Sequence, residues 1–194
     1  MSSRPESSPY QLRLSTYLLL ALAAGFPASL WAAAPPAAIE TCFAPENDCA
    51  AFAVRAIDHA QHEILVGAYG LTTGSGIVEA LLRAHRRGVA VKLIADKRTP
   101  CGRRSGVDAL ASAGVPVWID HIARIAHVKT MVIDGTVTLN GSYNWTRGAS
   151  ANSEDLNLVA SPIVAEAYAA HWRDRQALSL RFDRREDWCR AGAR

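Results

Sequence analysis

A chain of 194 residues, 49% of them hydrophobic, is long enough for one domain with a sizeable core. It holds no internal repeat and no low-complexity segment beyond an alanine-rich start, which excludes repeat architectures. A net charge of +3 is too mild to establish nucleic-acid binding, although only Lys92, Lys97 and Lys129 of the 21 basic residues are lysines, and arginine's planar fork suits phosphate.

In chain order, residues 1–13 are polar and carry Arg4 and Arg13, and residues 14–39 hold no charge. A run from Tyr17 to Ala24 is apolar, small residues follow at Ala32, Ala33 and Ala34, and Pro35-Pro36 comes next. A basic start, a short apolar run and small residues at its end make a secretory signal peptide over residues 1–34. An uncleaved membrane anchor is the alternative, and Gly25 and Pro27 inside the run favour the cleaved signal. Residues 35–41 then read as a linker and residues 42–194 as the domain. Either way the domain faces an oxidising space, where Cys42, Cys49, Cys101 and Cys189 can form two disulfides. Three pairings are open; Cys42 with Cys49 is preferred as the local one, which leaves Cys101 for Cys189.

Apolar spacing predicts a helix over residues 49–61, a buried strand over 63–69, a helix over 77–87 ended by Gly88, and a strand over 89–95. A charged loop over 96–106 leads to a short helix over 107–113. Pro116 marks the start or edge of a third strand over 115–119. A hairpin follows, then a strand over 154–160 and a helix over 162–178 opened by Pro162. The charged tail from Ser179 carries Trp188 and Cys189. Alternating strands and helices indicate an α/β fold: a mixed, mostly parallel β-sheet flanked by helices.

The hairpin concentrates the chemistry. Asp134-Gly135 between two apolar β-branched runs predicts a two-residue turn, with Ile133 facing Thr136. That register pairs Lys129 with Asn140 and His127 with Ser142, and sets both pairs and Asn144 on one face. An imidazole, an ammonium, a hydroxyl and amides on one face can bind an oxyanion and attack it. Tyr143 and Trp145 fall on the opposite face, in the core. Asp134 has a plainer reading as a turn residue chosen for positive φ.

His127-x-Lys129 with Asp134 five residues on, followed by Gly141-Ser142-x-Asn144 and Asn152-Ser153-Glu154, resembles the motif set of the phospholipase D superfamily. Further likeness runs from about Phe43 to Arg175 and takes in Ala68-Tyr69, the Arg87–Lys92 join and His171-Trp172. The chain looks most similar to the small, single-motif, periplasmic nucleases of that family. The resemblance implies a phosphodiesterase, an endonuclease on DNA or RNA, exported to the periplasm or secreted and using no metal or other cofactor. It implies His127 as nucleophile, Lys129, Ser142 and Asn144 as phosphate-binding groups, and Glu154 as the acid that orients His127. Asp134 belongs to the motif and is carried as a catalytic candidate beside its turn reading.

That mechanism needs two histidines, and none of His59, His62, His85, His121 or His171 has a lysine two residues on. A homodimer with one composite site is therefore expected. Arg98, Arg103, Arg104 and Arg147 are candidate nucleic-acid contacts. A lipid phosphodiesterase on the same machinery and a catalytically silent nucleic-acid-binding protein are the alternatives; a cleaved signal would leave no stable membrane partner.

Overall fold

The computed structural model describes residues 37–102 and 104–191, so the expected leader over residues 1–34 lies outside the described residues. The elements run β1 (Ala38–Ala44), α1 (Cys49–His59), β2 (Glu63–Ala68), α2 (Ile77–Arg86), β3 (Ala90–Asp96), α3 (Gly106–Ser112) and β4 (Val117–Asp120). Then come β5 (Lys129–Ile133), β6 (Val137–Gly141), β7 (Glu154–Ala160), α4 (Pro162–Leu178), β8 (Leu180–Arg181) and α5 (Trp188–Ala191).

Local chemistry sets the helix starts. Asp48 Oδ1 accepts the Ala51 N–H at 2.9 Å, Ser105 Oγ that of Val107 at 3.2 Å, and Ser161 Oγ that of Val164 at 3.5 Å, ahead of Pro162. In the loop before α2, Ser75 Oγ accepts from Ile77 N at 3.3 Å.

The strands form one sheet in the order β1-β7-β6-β5-β2-β3-β4-β8. Its mixed character and its flanking helices match the expected α/β class. The balance of directions corrects the expectation of a mostly parallel sheet: β2–β3 and β3–β4 are parallel, and the other neighbours are antiparallel. Only the strand–helix–strand crossovers through α2 and α3 produce parallel pairs; hairpins and edge additions produce the rest.

Two apolar layers cover the sheet. On one face, Ile57, Leu81 and Leu110 from α1, α2 and α3 pack against Ile64, Val66, Leu93, Met131 and Leu139. On the other face, Ala165, Ala169 and Trp172 from α4 pack against Leu65, Ile94 and Val132. Trp172 Nε1 donates to the Val66 carbonyl at 2.9 Å, and Arg175 grips the buried Asp120 carboxylate through Nε at 2.9 Å and Nη2 at 2.7 Å. That ion pair pins α4 to the end of β4.

Residues 38–41, expected as linker, belong to β1, which pairs with β7 along its length. The Cys42–Cys49 disulfide ties β1 to α1, and Cys101–Cys189 ties the loop after β3 to α5. Among the described residues no helix is long and apolar enough to cross a membrane.

Candidate active site

The β5–β6 turn is one residue longer than its sequence suggests. Asp134 (φ 51°) and Gly135 (φ 63°) both take the left-handed conformation, Thr136 N–H returns to the Ile133 carbonyl at 3.1 Å, and Ile133 pairs with Val137. The extra residue slips β6 by one position, and a slip of one sends every side chain to the other face. Leu139 therefore meets Met131 in the core. Asn140, expected beside Lys129, pairs with Thr130 and donates from Nδ2 to the Tyr168 hydroxyl at 2.8 Å. Burial of Leu139 accounts for the choice, since the expected register would have turned it away from that core.

At the other end of β5, His127 stands exposed in the loop leading into the strand, and Lys129 is buried, 6% exposed. Lys129 Nζ donates to His127 Nε2 at 2.9 Å and to the His127 carbonyl at 3.2 Å. An ammonium can only donate, so Nε2 is the unprotonated nitrogen of that imidazole. Burial pulls the Lys129 pKa below the ordinary lysine value, while the negative charge of Glu154 pushes it back up.

The strand after the site brings in the amide. Gly141 (φ 155°) lets β6 run hard against the Asp155 carbonyl, which any Cβ there would strike. The chain then turns alongside β2's end, where Trp145 N–H donates to the Gly70 carbonyl at 3.0 Å. Asn144 thus comes to rest against Gly70, where a Cβ would lie 3.1 Å from Asn144 Oδ1. That oxygen is buried without a hydrogen-bond partner. Tyr143 and Trp145 are fully buried, as their alternation predicts: Trp145 Nε1 donates to the Gly67 carbonyl at 3.2 Å, and the Tyr143 and Ser150 hydroxyls bond at 2.8 Å.

Ser142 and Glu154 line a neighbouring depression with Phe43, Glu46 and Asp155. Ser142 Oγ accepts the Asp155 N–H at 3.0 Å, so its oxygen already holds the start of β7. Glu154 Oε1 accepts from Asn152 Nδ2 at 3.0 Å. The direct hydrogen bond expected between Glu154 and His127 is not formed; the carboxylate is turned to its own loop and reaches the site through its field on Lys129.

Asp134 sits at the far end of β5, about 17 Å from Lys129 at the usual strand rise. Its carboxylate accepts backbone N–H groups from Gln61 at 2.9 Å, His62 at 2.8 Å and Glu63 at 3.0 Å. Burial opposes its charge, yet the N–H groups of Glu63, Gln61 and His62 hold the carboxyl below the usual carboxylate range. Asp134 staples the hairpin to β2; as a catalytic candidate it is corrected to a structural one, because its oxygens are consumed far from His127.

Of the candidate arginines, Arg98 touches the site. Its Nε donates to Asp96 Oδ1 at 3.2 Å and its Nη2 to the Tyr69 hydroxyl at 3.2 Å. Arg104 (φ 65°) and Arg147 are exposed, and Arg103 lies outside the described residues. Sequence reasoning passed over Arg124, exposed in the loop before His127, and the pair Tyr69 and Asp96 at the carboxyl ends of β2 and β3. Ends of parallel strands are where α/β sheets gather ligands, and that was the available signal. His171 is exposed and lines a groove of 660 Å³ with His127, Tyr168, Trp172 and Arg175. Among the described residues no cluster of three His, Cys, Asp or Glu could hold a metal ion.

Residues 53–175 match the family model described as "Cardiolipin synthase, PLD-like domain". The chain belongs to the phospholipase D superfamily. It is 34% identical over 140 residues to a phospholipase D of Rickettsia felis, covering 72% of this chain and 70% of that one. It is similar to the crystal structure of a phospholipase D family member, Nuc, from Salmonella typhimurium, with a TM-score of 0.72 and 31% identity over 76% of this chain and 99% of that one. A mitochondrial cardiolipin hydrolase of Chlamydomonas reinhardtii shares 37% identity over 97 residues, half of this chain and 44% of that one. As a phospholipase D superfamily member, the chain is a phosphodiester hydrolase.

Proposed function

We propose that this hydrolase is an exported endonuclease that cleaves DNA or RNA through a phosphohistidine, without a metal, in a site shared by two copies of the chain. The observation that carries the reading is the Lys129 Nζ–His127 Nε2 hydrogen bond at the exposed mouth of β5. A non-bridging phosphate oxygen would compete for the Lys129 ammonium and release the Nε2 lone pair. Nε2 then attacks phosphorus. Lys129 and the Asn144 amide stabilise the charge on the oxygens, the task a metal performs elsewhere. The imidazolium of His127 in a second copy gives its proton to the leaving oxygen. Neutral again, it takes a proton from the water that displaces phosphate from His127, which restores both rings.

One imidazole cannot readily attack one side of phosphorus and protonate the group leaving from the other, and each chain carries a single His-x-Lys pair. That supports the twofold dimer. Exposed Arg124 and Arg147 and half-exposed Arg98 stand on three segments leading to the site, which favours a polyanionic strand. Two disulfides support action outside the cytoplasm, in the periplasm or beyond. The second reading, a lipid phosphodiesterase, rests on the names of the relatives and on the apolar wall of Ile125, Val128 and Trp172 in the groove beside His127.

The test incubates purified protein in EDTA with plasmid DNA, RNA and phospholipid vesicles, with His127→Ala as control. Expected are cleavage of nucleic acid in chelator and loss of at least about a thousandfold in the variant. Turnover of phospholipid alone would transfer the site to the lipid reading, and activity lost to EDTA would remove the metal-free chemistry. Sedimentation showing a strictly monomeric, fully active enzyme would overturn the composite site.

A further inference from the structure

Lys129 has a difficult position. It is buried, no carboxylate lies within ion-pair distance of its ammonium among the described residues, and its near partner is a histidine. Desolvation favours the neutral amine, which could not hold a phosphate oxygen, and the field of Glu154 opposes it only in part. Tyr69 supplies what is missing. Its ring lies just beyond β2, fixed by its own backbone: Tyr69 N–H donates to the Val128 carbonyl at 2.8 Å, and its carbonyl accepts from Thr99 Oγ1 at 2.8 Å. Lys129 Nζ lies over this ring, 4.9 Å from its centroid. The His127 ring meets it edge-on, centroids 4.4 Å apart at 60°.

The ring is itself held. Arg98 stacks 5.3 Å from its centroid and donates to its hydroxyl, and Asp96 fixes Arg98 through the backbone N–H at 3.0 Å and through Nε. The same buried carboxylate accepts the Ala126 N–H at 2.8 Å, so it also anchors the residue before His127. Asp96 offsets the guanidinium charge, so Arg98 can brace the ring without presenting an uncompensated second cation to Lys129.

We propose that Tyr69 is the positioning residue of this site: its π-face keeps the Lys129 ammonium charged inside the protein, its ring contact sets the His127 imidazole, and Asp96 with Arg98 holds it in place. This rests on the phosphodiesterase reading for its purpose, though not for its test. The electron-rich face of an aromatic ring attracts a cation, most strongly where water is excluded. The charged and titratable groups facing Lys129 are His127 from the loop before β5, Glu154 from β7, and Arg98 with Asp96 behind the ring.

The chain has only three lysines, so selectively labelled lysine resolves the Lys129 resonance by NMR, and its titration can be followed in the free protein. The variants are Tyr69→Phe, which keeps the ring, Tyr69→Leu, which removes it, and a ring-fluorinated phenylalanine placed at Tyr69, which keeps the shape and drains the face. Lys129 is expected to titrate in Tyr69→Phe as in the parent. In the fluorinated protein and in Tyr69→Leu it should titrate about one pH unit lower. Because Lys129 must be charged to hold phosphate, activity falls as pH rises through its pKa, and the alkaline limb of the pH–rate profile should move down with it. An unchanged Lys129 titration in the fluorinated protein overturns the proposal, as does an equal shift in Tyr69→Phe, which would assign the effect to the hydroxyl. The titration needs no substrate, so a protein that fails to cleave nucleic acid would sink the nuclease reading and leave this one standing on its own measurement.

Discussion

The two ends of β5 carry the same family motif and opposite chemistry. At the turn end, Asp134 gives both carboxylate oxygens to backbone N–H groups at the start of β2. At the open end, His127 is exposed and Lys129 is buried with no carboxylate at ion-pair distance among the described residues, its charge met only by His127, the Tyr69 ring and the more distant field of Glu154. A polar group whose valences are filled stabilises the fold. A polar group kept hungry at a surface is poised for a ligand, and the fold bears the cost of keeping it so. The motif spacing therefore sets a candidate catalytic pair and a structural staple at the two ends of one short strand.

The largest effect that separates the ends comes from Lys129→Met. Removing this donor is expected to lower kcat by about 100- to 1000-fold, as for other groups that stabilise an oxyanion. Thermal stability should hold or rise, because a desolvated ammonium leaves the interior. Parallel kinetics and calorimetry check both, and a variant that loses stability together with activity would make Lys129 a structural residue like Asp134.

Asp134→Ala should show the inverse pattern: a loss of about 2 kcal/mol of stability from three orphaned N–H groups, with kcat per folded molecule kept. Its folded pKa lies below the unfolded one, so its contribution is present above the ordinary aspartate pKa and is lost as pH falls through the folded value. Denaturant midpoints of parent and variant should accordingly converge in acid and separate toward neutrality. A kcat lowered as far as in Lys129→Met would return Asp134 to the catalytic set.

Ser142→Ala is the smallest and sits between the two. Its oxygen accepts the Asp155 N–H, so about 1 kcal/mol of stability is expected to go. If the hydroxyl also donates to phosphate, KM rises as well; an unchanged KM confines Ser142 to holding β7.

Much of this was legible in the residues. Pro162 and the Ser161 cap marked the start of α4, and β7 and α4 fall at their expected bounds. His127, Lys129 and Asn144 were legible as candidates because their spacing resembles the family's motif set. The sheet's mainly antiparallel make-up was not, since β1 and β8 carry little hydrophobic pattern and gain their strand conformation by pairing at the edges. The hydrogen bonding of Glu154 was not legible either: its carboxylate accepts from Asn152 in its own loop, a side-chain choice that motif spacing does not record.

By itself, then, the sequence determined that an α/β domain carries a histidine–lysine pair on a hairpin, because periodicity and motif spacing are local properties of the chain. Only the tertiary structure decided the hairpin's register, the burial of Lys129, the three backbone N–H groups that Asp134 holds, and the meeting of Tyr69, Arg98 and Asp96 around the pair. Those depend on which side chains the packed sheet can bury and which it must leave to face one another, a competition between distant segments that no single stretch of sequence records.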